Sequence, residues 1–159
     1  YGAERRGRFV GLTTKSGDKK TECGIHVAGA ERTWDRDLWG GEGNDADSAV
    51  TTLATQEEAL SLKTKGDPAV VVVYAPWCPF CQAMEDDYEQ LAVDLGKKGI
   101  TVAKYRGDED REFVAAEFNV EAFPTINVVT KNGLVKYASE ERATDKMLAF
   151  FDEQVAALA

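Results

Sequence analysis

Cysteine and histidine are scarce in this chain of 159 residues, which contains three cysteines and one histidine. Three cysteines are too few for the disulfide framework of a small secreted domain, and an odd number leaves one thiol unpaired within the chain. Cys78 and Cys81 can pair with each other. Cys23 is then the remaining thiol.

Positive charge and long apolar runs are also in short supply. The 19 Lys and Arg residues are outnumbered by 28 Asp and Glu, and no basic stripe offsets the net charge of −9, which argues against nucleic-acid binding. No stretch approaches the roughly 20 apolar residues that span a bilayer, so we predict no transmembrane segment. The sequence lacks an initiator Met and a signal-like hydrophobic segment, so we expect Tyr1 to begin a processed protein or a fragment.

Two regions of the sequence differ in composition. The pattern of residues 1–50 does not indicate a packed unit. Within this region the segment 40–48 is rich in Gly, Asp and Asn, a composition typical of linkers. We therefore predict that residues 1–50 form an extended, irregular arm and linker. Residues 51–159 are predicted to form one folded domain.

Alternating apolar patterns organise the second region. A capping box at Thr55 to Glu58 opens a short helix, and the helix that follows the paired cysteines places Met84, Tyr88 and Leu91 on one apolar face. The predicted elements are helix 55–65, strand 70–74, helix 81–97, strand 100–105, helix 109–119, strand 125–130, strand 134–138 and a last helix capped by Thr144. This order indicates parallel crossovers followed by a terminal hairpin.

The most informative motif is the run Trp77-Cys78-Pro79-Phe80-Cys81, which directly follows a buried strand. The two cysteines are therefore predicted to lie in the first turn of a helix. Unpaired N–H groups and the positive end of the dipole stabilise a thiolate there. A second thiol three residues on can resolve a mixed disulfide. The motif predicts dithiol–disulfide exchange, with Cys78 and Cys81 as the catalytic pair.

The order of elements, the Trp-Cys-x-x-Cys motif and the later Phe123-Pro124-Thr125 together resemble the thioredoxin superfamily over roughly residues 50–159. The resemblance implies an α/β thioredoxin-like fold, with a central mixed sheet flanked by helices. It also implies that Pro124 follows a cis peptide bond and that its loop faces the cysteines. Phe123 would then offer its backbone to an extended substrate as one more strand.

A closer resemblance concerns the residues around the motif. Val72 stands six residues before Cys78, where thioredoxins and protein disulfide isomerases usually hold a buried acid, and Pro79-Phe80 is similar to the Pro-Tyr pair of dithiol glutaredoxins. The whole string from Tyr74 to Glu85 resembles the C-terminal domain of plant-type adenosine 5′-phosphosulfate (APS) reductase, a glutathione-using reductant. By this resemblance Trp77, Pro79 and Phe80 line the substrate site, together with Phe123 and Pro124.

The N-terminal region carries a second motif of the same family. Glu22-Cys23-Gly24-Ile25-His26 resembles the tail of its reductase domain, in which the cysteine attacks the sulfur of APS and forms an S-sulfocysteine. The resemblance implies that Cys23 accepts the sulfur, Cys78 attacks the sulfonated or oxidised Cys23, and Cys81 resolves the product. It implies glutathione as electron donor, no bound cofactor, a role in sulfate assimilation and a chloroplast location.

One departure from that family is large. Its nucleotide-binding domain and its iron–sulfur cysteines lie upstream of anything in this sequence, and three cysteines cannot supply a four-thiolate cluster. This chain alone is therefore not expected to bind or reduce APS. We interpret it as the tail of such an enzyme or as a protein derived from that tail.

Other interpretations stay open. Cys23, His26, Cys78 and Cys81 could supply four ligands to zinc, although a helix N-terminus with Pro between the thiols is unlike a zinc knuckle, so no metal site is predicted. The chain could also be a protein-disulfide-isomerase-like catalyst of a secretory compartment. The missing buried acid and the absence of Gly-His between the cysteines argue against that function.

A non-catalytic role is the main alternative. The arm carries apolar anchors, Trp34, Leu38 and Trp39, with no obvious core of their own. They either pack back on the domain or dock on another protein, and aromatic anchors favour docking. In that interpretation the chain is a thioredoxin-fold subunit of a large assembly, held by residues 1–50.

Overall fold

The computed structural model describes residues 23–24, 37–39 and 48–157. The described residues form a mixed α/β domain with seven strands and five helices. In order they are β1 (Cys23–Gly24), β2 (Thr51–Thr52), α1 (Gln56–Thr64), β3 (Ala69–Tyr74), α2 (Pro79–Ala83), α3 (Glu85–Gly96), β4 (Thr101–Arg106), α4 (Arg111–Phe118), β5 (Ala122–Phe123), β6 (Thr125–Thr130), β7 (Gly133–Lys136) and α5 (Thr144–Ala156).

The central sheet is mixed, and its strand order is β2-β4-β3-β6-β7. Strands β2 and β3 run parallel to β4, whereas β6 is antiparallel to β3 and forms the terminal hairpin with β7. All six residues of β3 are buried, as expected for an apolar strand at the centre of a sheet covered on both faces. The predicted α/β fold with a mixed central sheet flanked by helices is confirmed.

The helix predicted from Cys81 to about Lys97 is in fact two helices, α2 and α3, which meet at Met84. The Met84 N–H donates to the Cys81 carbonyl, three residues back rather than four, and the Met84 backbone leaves helical values at φ −96° and ψ 4°. The ladder of hydrogen bonds is therefore interrupted at this residue. The apolar face survives the break, since Met84, Tyr88 and Leu91 are buried as predicted.

The capping predictions had mixed outcomes. The capping box of α1 is present, since Thr55 Oγ1 accepts the Glu58 N–H and the Glu58 carboxylate accepts the Thr55 N–H. Thr144, in contrast, is the first helical residue of α5 and makes no capping bond of its own. Its N–H and its hydroxyl both donate to Asp87 of α3. A carboxylate from a neighbouring helix thus satisfies the start of α5, which the local sequence could not indicate.

Part of the N-terminal arm belongs to the core of the domain. Leu38 is fully buried and Trp39 is 2% exposed. The Trp39 ring packs against Tyr74 and Tyr88 at centroid distances of 5.2 and 5.1 Å. Leu38 and Trp39 therefore pack back on the domain, one of the two alternatives that the sequence left open. Trp34 lies outside the described residues, and a partner protein bound through residues 1–50 stays a prediction.

The same segment covers a buried lysine. The Lys104 side chain is 1% exposed, and its ammonium group lies 3.4 Å from Asp37 Oδ2 and donates to the Leu38 carbonyl. Tyr74 donates its hydroxyl proton to Asp37 Oδ1 at 2.6 Å. Burial lowers the pKa of Lys104 and Asp37 opposes that shift, because a buried ammonium is tolerated only when it is paired.

We expect Asp37→Ala to lower the free energy of unfolding by about 3 kcal/mol, since it leaves a buried ammonium without its carboxylate. The Leu38 carbonyl remains as an acceptor, so the effect falls at the lower end for such deletions. Urea unfolding measures it, with Asp67→Ala as an exposed control. Adding Lys104→Met to Asp37→Ala should recover most of the loss, and failure of that rescue would contradict the ion-pair explanation.

Within the described part of the chain, no helix combines the length and the apolar character that crossing a bilayer requires.

Candidate active site

Cys78 lies where the central strand gives way to a helix. After β3 the chain turns so that the Cys78 N–H donates to the Ala75 carbonyl at 3.1 Å, and the Cys78 carbonyl accepts the Gln82 N–H at 3.0 Å. Cys78 is thus the N-cap residue of α2, and Pro79 occupies the first turn, where a missing N–H costs nothing. The predicted placement of the two cysteines at a strand-to-helix turn is therefore observed.

Cys78 forms a disulfide with Cys23, although the two residues are 55 positions apart in the sequence. Their Cα atoms are 6.2 Å apart, within the usual range for a disulfide. Cys81 is a free, buried thiol. The sequence allowed Cys78 to pair either with Cys81 in the motif or with Cys23 in the arm. The structure contains the disulfide with Cys23. All three cysteine side chains are fully buried.

A two-strand ladder holds Cys23 at this position. Strand β1 pairs antiparallel with β5, with Cys23 opposite Phe123 and Gly24 opposite Ala122. The peptide bond between Phe123 and Pro124 is cis, as the resemblance implied, and the Phe123 carbonyl oxygen lies 3.7 Å from Cys78 Sγ. The edge of β5 thus binds the backbone of the segment whose sulfur is bonded to Cys78, which is β-strand addition within one chain.

Trp77 is held against this site by a buried carboxylate. Its indole N–H donates to Asp108 Oδ2 at 2.8 Å, and Arg106 Nε donates to Asp108 Oδ1 at 2.7 Å. The indole also packs edge-to-face on Phe123, with ring centroids 6.1 Å apart. Asp108 therefore orients the aromatic wall beside the disulfide.

Sequence reasoning missed Asp108 and Arg106. The sequence did contain a signal for the contact between Asp108 and Trp77. Parallel strands end at the same edge of a sheet, and Asp108 follows β4 much as Trp77 follows β3. The remaining predicted substrate residues, Pro79 and Phe80, are half-buried, and Phe80 packs against the hydrophobic core. Their roles in binding a substrate stay predictions.

The free thiol is poorly ionised in this state. Burial raises the pKa of Cys81 to about 12, while a backbone hydrogen bond with Ala75 and the charge of Arg142 oppose the shift and the charge of Asp108 adds to it. Val72, at the position where related folds usually hold an acid, is fully buried and apolar. The protonated thiol of Cys81 therefore predominates strongly at pH 7, whereas the thiolate is the nucleophile. Cys78 does not titrate while it is oxidised, so the stabilisation of its thiolate by the start of the helix stays a prediction.

Gly107 is a third site residue that sequence reasoning missed. A Cβ atom there would meet Val73 Cγ1 at 2.6 Å and Phe123 Cε1 at 2.8 Å. We expect Gly107→Ala to destabilise the fold by about 1–3 kcal/mol through overpacking, and to weaken the Cys23–Cys78 disulfide by displacing the ring of Phe123. Urea unfolding and titration with glutathione measure the two effects. Gly96→Ala is the matched control, because a Cβ at Gly96 meets nothing within 4 Å.

The zinc alternative does not fit this oxidation state. Two of its four ligands, Cys23 and Cys78, are joined to each other, and a disulfide offers no thiolate. The fourth ligand, His26, lies outside the described residues. Within the described ranges, no cluster of three or more His, Cys, Asp or Glu side chains could hold a metal ion.

The chemistry that these groups support is exchange between sulfur atoms. A disulfide sulfur is held at a strand-to-helix turn, a second thiol follows three residues on, and a cis-proline loop binds the strand that carries the partner sulfur. This arrangement on a mixed sheet is the thioredoxin fold, and the chain is a thiol–disulfide oxidoreductase of that fold.

The chain belongs to the thioredoxin family, whose model matches residues 49–153. It is 38% identical over 160 residues to 5'-adenylylsulfate reductase 1, chloroplastic, of Arabidopsis thaliana, and the match covers 94% of this chain and 34% of that protein. It is 37% identical over 168 residues to probable 5'-adenylylsulfate reductase 1, chloroplastic, of Oryza sativa, and covers 92% of this chain and 34% of that protein. The chain thus spans about a third of the length of these relatives.

A solved structure shows the same fold at lower identity. The J-Trx1 fragment of ERdj5 superimposes with a TM-score of 0.61 at 19% identity, over 68% of this chain and 52% of that chain. The resemblance to the APS reductase family that the two cysteine motifs indicated is therefore confirmed by sequence similarity, and the fold by structure.

Proposed function

We propose that this chain is an intramolecular sulfur relay that reduces an oxidised form of its own Cys23. The observation that carries the proposal is the disulfide between Cys23 and Cys78, with β1 paired along β5. This is the state expected for the intermediate of such a relay. The attacking sulfur of Cys78 is bonded to the sulfur of Cys23, and Cys81 is still a thiol.

The relay consists of three balanced steps. The Cys78 thiolate attacks the sulfur of S-sulfonated Cys23, a bond forms between the two cysteines, and sulfite leaves with the electron pair of the broken S–S bond. The Cys81 thiolate then attacks Cys78 Sγ, which releases Cys23 as a thiolate. Two molecules of glutathione reduce the resulting Cys78–Cys81 disulfide and become oxidised glutathione. The similarity to 5'-adenylylsulfate reductases supports a sulfonated Cys23 as the starting point.

Glutathione fits the site by its own chemistry. It is a γ-Glu-Cys-Gly peptide, and the arm carries Glu22-Cys23-Gly24. The edge of β5 that pairs with Cys23 and Gly24 offers the Cys-Gly half of glutathione the same backbone groups. Since the arm and glutathione need the same strand edge, we infer that glutathione reduces Cys78 only after Cys23 has left.

The names of the relatives support a cellular setting for this chain. Both reductases described above are named as chloroplastic, and this supports a chloroplast location and a role in sulfate assimilation for the present chain. Reduction of APS itself would need a nucleotide-binding region, so we propose that this chain supplies the reductant part of that reaction.

Sulfite release from a sulfonated peptide tests the proposal. A synthetic peptide covering residues 19–28, with S-sulfocysteine in place of Cys23, is added to reduced full-length protein carrying Cys23→Ser. We expect one sulfite per chain without glutathione and continued release with glutathione, glutathione reductase and NADPH. Cys78→Ser is the matched control and should release none. If both proteins are equally inactive, the chain is instead a non-catalytic subunit, as in the main alternative from the sequence.

A further inference from the structure

The rate at which Cys78 meets Cys23 depends on the chain that joins them. For a flexible tether the effective concentration of one end at the other falls roughly as the −3/2 power of tether length. Cys23 and Cys78 are 55 positions apart. If that whole stretch were the tether, the arm would deliver its sulfur only weakly.

Three residues of the arm interrupt that stretch, and we call Asp37, Leu38 and Trp39 the arm anchor. The Trp39 N–H donates to Glu85 Oε2 at 3.0 Å, and its indole N–H donates to the Glu85 carbonyl at 2.8 Å. These bonds attach the anchor to the start of α3, directly after the helix that carries Cys81.

The anchor is also attached to the central sheet. Asp37 accepts the Tyr74 hydroxyl proton from β3, and the buried ammonium of Lys104 from β4 binds both Asp37 and the Leu38 carbonyl. The anchor therefore contacts one helix and two strands. Apart from Asp37 and Glu85, the residues that make these contacts are more than nine-tenths buried. The anchor is thus part of the domain rather than of the tether.

A second attachment follows the anchor. The Ser48 hydroxyl donates to Glu89 Oε1 at 2.5 Å, and the Ala49 N–H donates to Glu89 Oε2 at 2.6 Å. Strand β2 then pairs with β4. In the sequence, 12 residues (25–36) separate strand β1 from the anchor, and 23 residues (25–47) separate it from the attachment at Ser48.

We propose that the arm anchor is a positioning device that shortens the effective tether of Cys23 to residues 25–36. This inference rests on the proposed relay, since a tether matters only if Cys23 leaves Cys78 and returns. Without the anchor, the chain that follows strand β1 would next meet the domain at Ser48, so the anchor shortens the connection about twofold and raises the effective concentration of Cys23 at Cys78 about threefold. The anchor thus favours the arm over external thiols in the competition for the edge of β5.

Insertions on either side of the anchor test the proposal in full-length protein carrying Cys81→Ser, which leaves Cys23 and Cys78 as the only pair. About a dozen Gly and Ser residues are inserted between Ala30 and Glu31 in one variant and between Gly43 and Asn44 in the other. Each protein is equilibrated with reduced and oxidised glutathione, in which one oxidised glutathione takes two electrons from the pair and two glutathione molecules are released. Mass spectrometry of the alkylated protein gives the effective concentration.

We expect the first insertion to lower the effective concentration about threefold and the second to leave it unchanged, because only the first lengthens the anchored tether. Equal changes in the two variants would overturn the proposal. Trp39→Ala should lower the effective concentration about threefold and make the two insertions equivalent, without changing the reduction potential of the Cys78–Cys81 pair measured with Cys23→Ser. A shift of that potential would instead mean general damage to the site.

The outcomes also distinguish failure of the anchor proposal from failure of the relay proposal. If no Cys23–Cys78 disulfide forms in any variant, the relay itself is wrong and the anchor has nothing to position. If the disulfide forms with the same stability wherever the residues are inserted, the relay stands and the anchor proposal fails.

Discussion

Cys78→Ser is expected to abolish sulfur exchange, lowering the rate of sulfite release by a factor on the order of 10³ or more, because a serine hydroxyl at neutral pH is no nucleophile toward sulfur. The same variant should leave Cys23 reduced after treatment with oxidised glutathione, apart from a glutathione adduct. Sulfite assay and peptide mapping under non-reducing conditions measure both effects.

Cys81→Ser is the matched variant in the same helix turn and should behave differently. It retains the first attack, so it should release one sulfite per chain and then stop with Cys23 and Cys78 joined. The Cys81 side chain is fully buried and is replaced by one of similar size, so the fold should tolerate the change. A wild-type rate for Cys78→Ser, or continued turnover of Cys81→Ser, would contradict the assigned order of attack.

The second large effect concerns pH. Starting from the Cys23–Cys78 disulfide and without external thiol, the release of Cys23 should accelerate about tenfold for each unit of pH between 6 and 9. Burial raises the pKa of Cys81 to about 12, so throughout this range the thiol predominates and its thiolate fraction grows in proportion to hydroxide. Over two units the rate should therefore rise about a hundredfold.

Alkylation of the released Cys23 at timed intervals measures this rate. The Cys81→Ser protein should show no release at any pH, which separates internal attack from hydrolysis of the disulfide. A plateau near pH 8 would contradict the prediction, since it would require Cys81 to titrate near the ordinary value for cysteine of about 8.5.

Local patterns in the sequence were sufficient for much of this site. The apolar run of β3 and the Trp-Cys-x-x-Cys motif predicted the strand-to-helix turn, because both depend on neighbours in the chain. The cis bond before Pro124 followed from resemblance. The capping box of α1 is likewise a contact between residues three apart, and it is present.

The errors and omissions involve partners that are distant in the sequence. Thr144 carries the right residue type for a helix cap, yet Asp87 takes that role from another helix. The break at Met84 has no Pro or Gly to announce it. Asp108 bonds to Trp77 only because β3 and β4 run parallel and end at one edge. The Asp87 and Asp108 contacts depend on the packing of whole elements, which a local window of sequence does not contain.

The sequence by itself determined that this chain has a buried central strand, two thiols at the start of a helix and a third thiol in a distant arm. Only the tertiary structure decided which two sulfurs are joined. Cys78 and Cys81 are neighbours along the chain, but the pairing of β1 with β5 holds Cys23 against Cys78, and the burial of Trp39 and Lys104 ties the arm to the domain. Disulfide choice depends on distance between sulfur atoms, and distance is a property of the packed molecule.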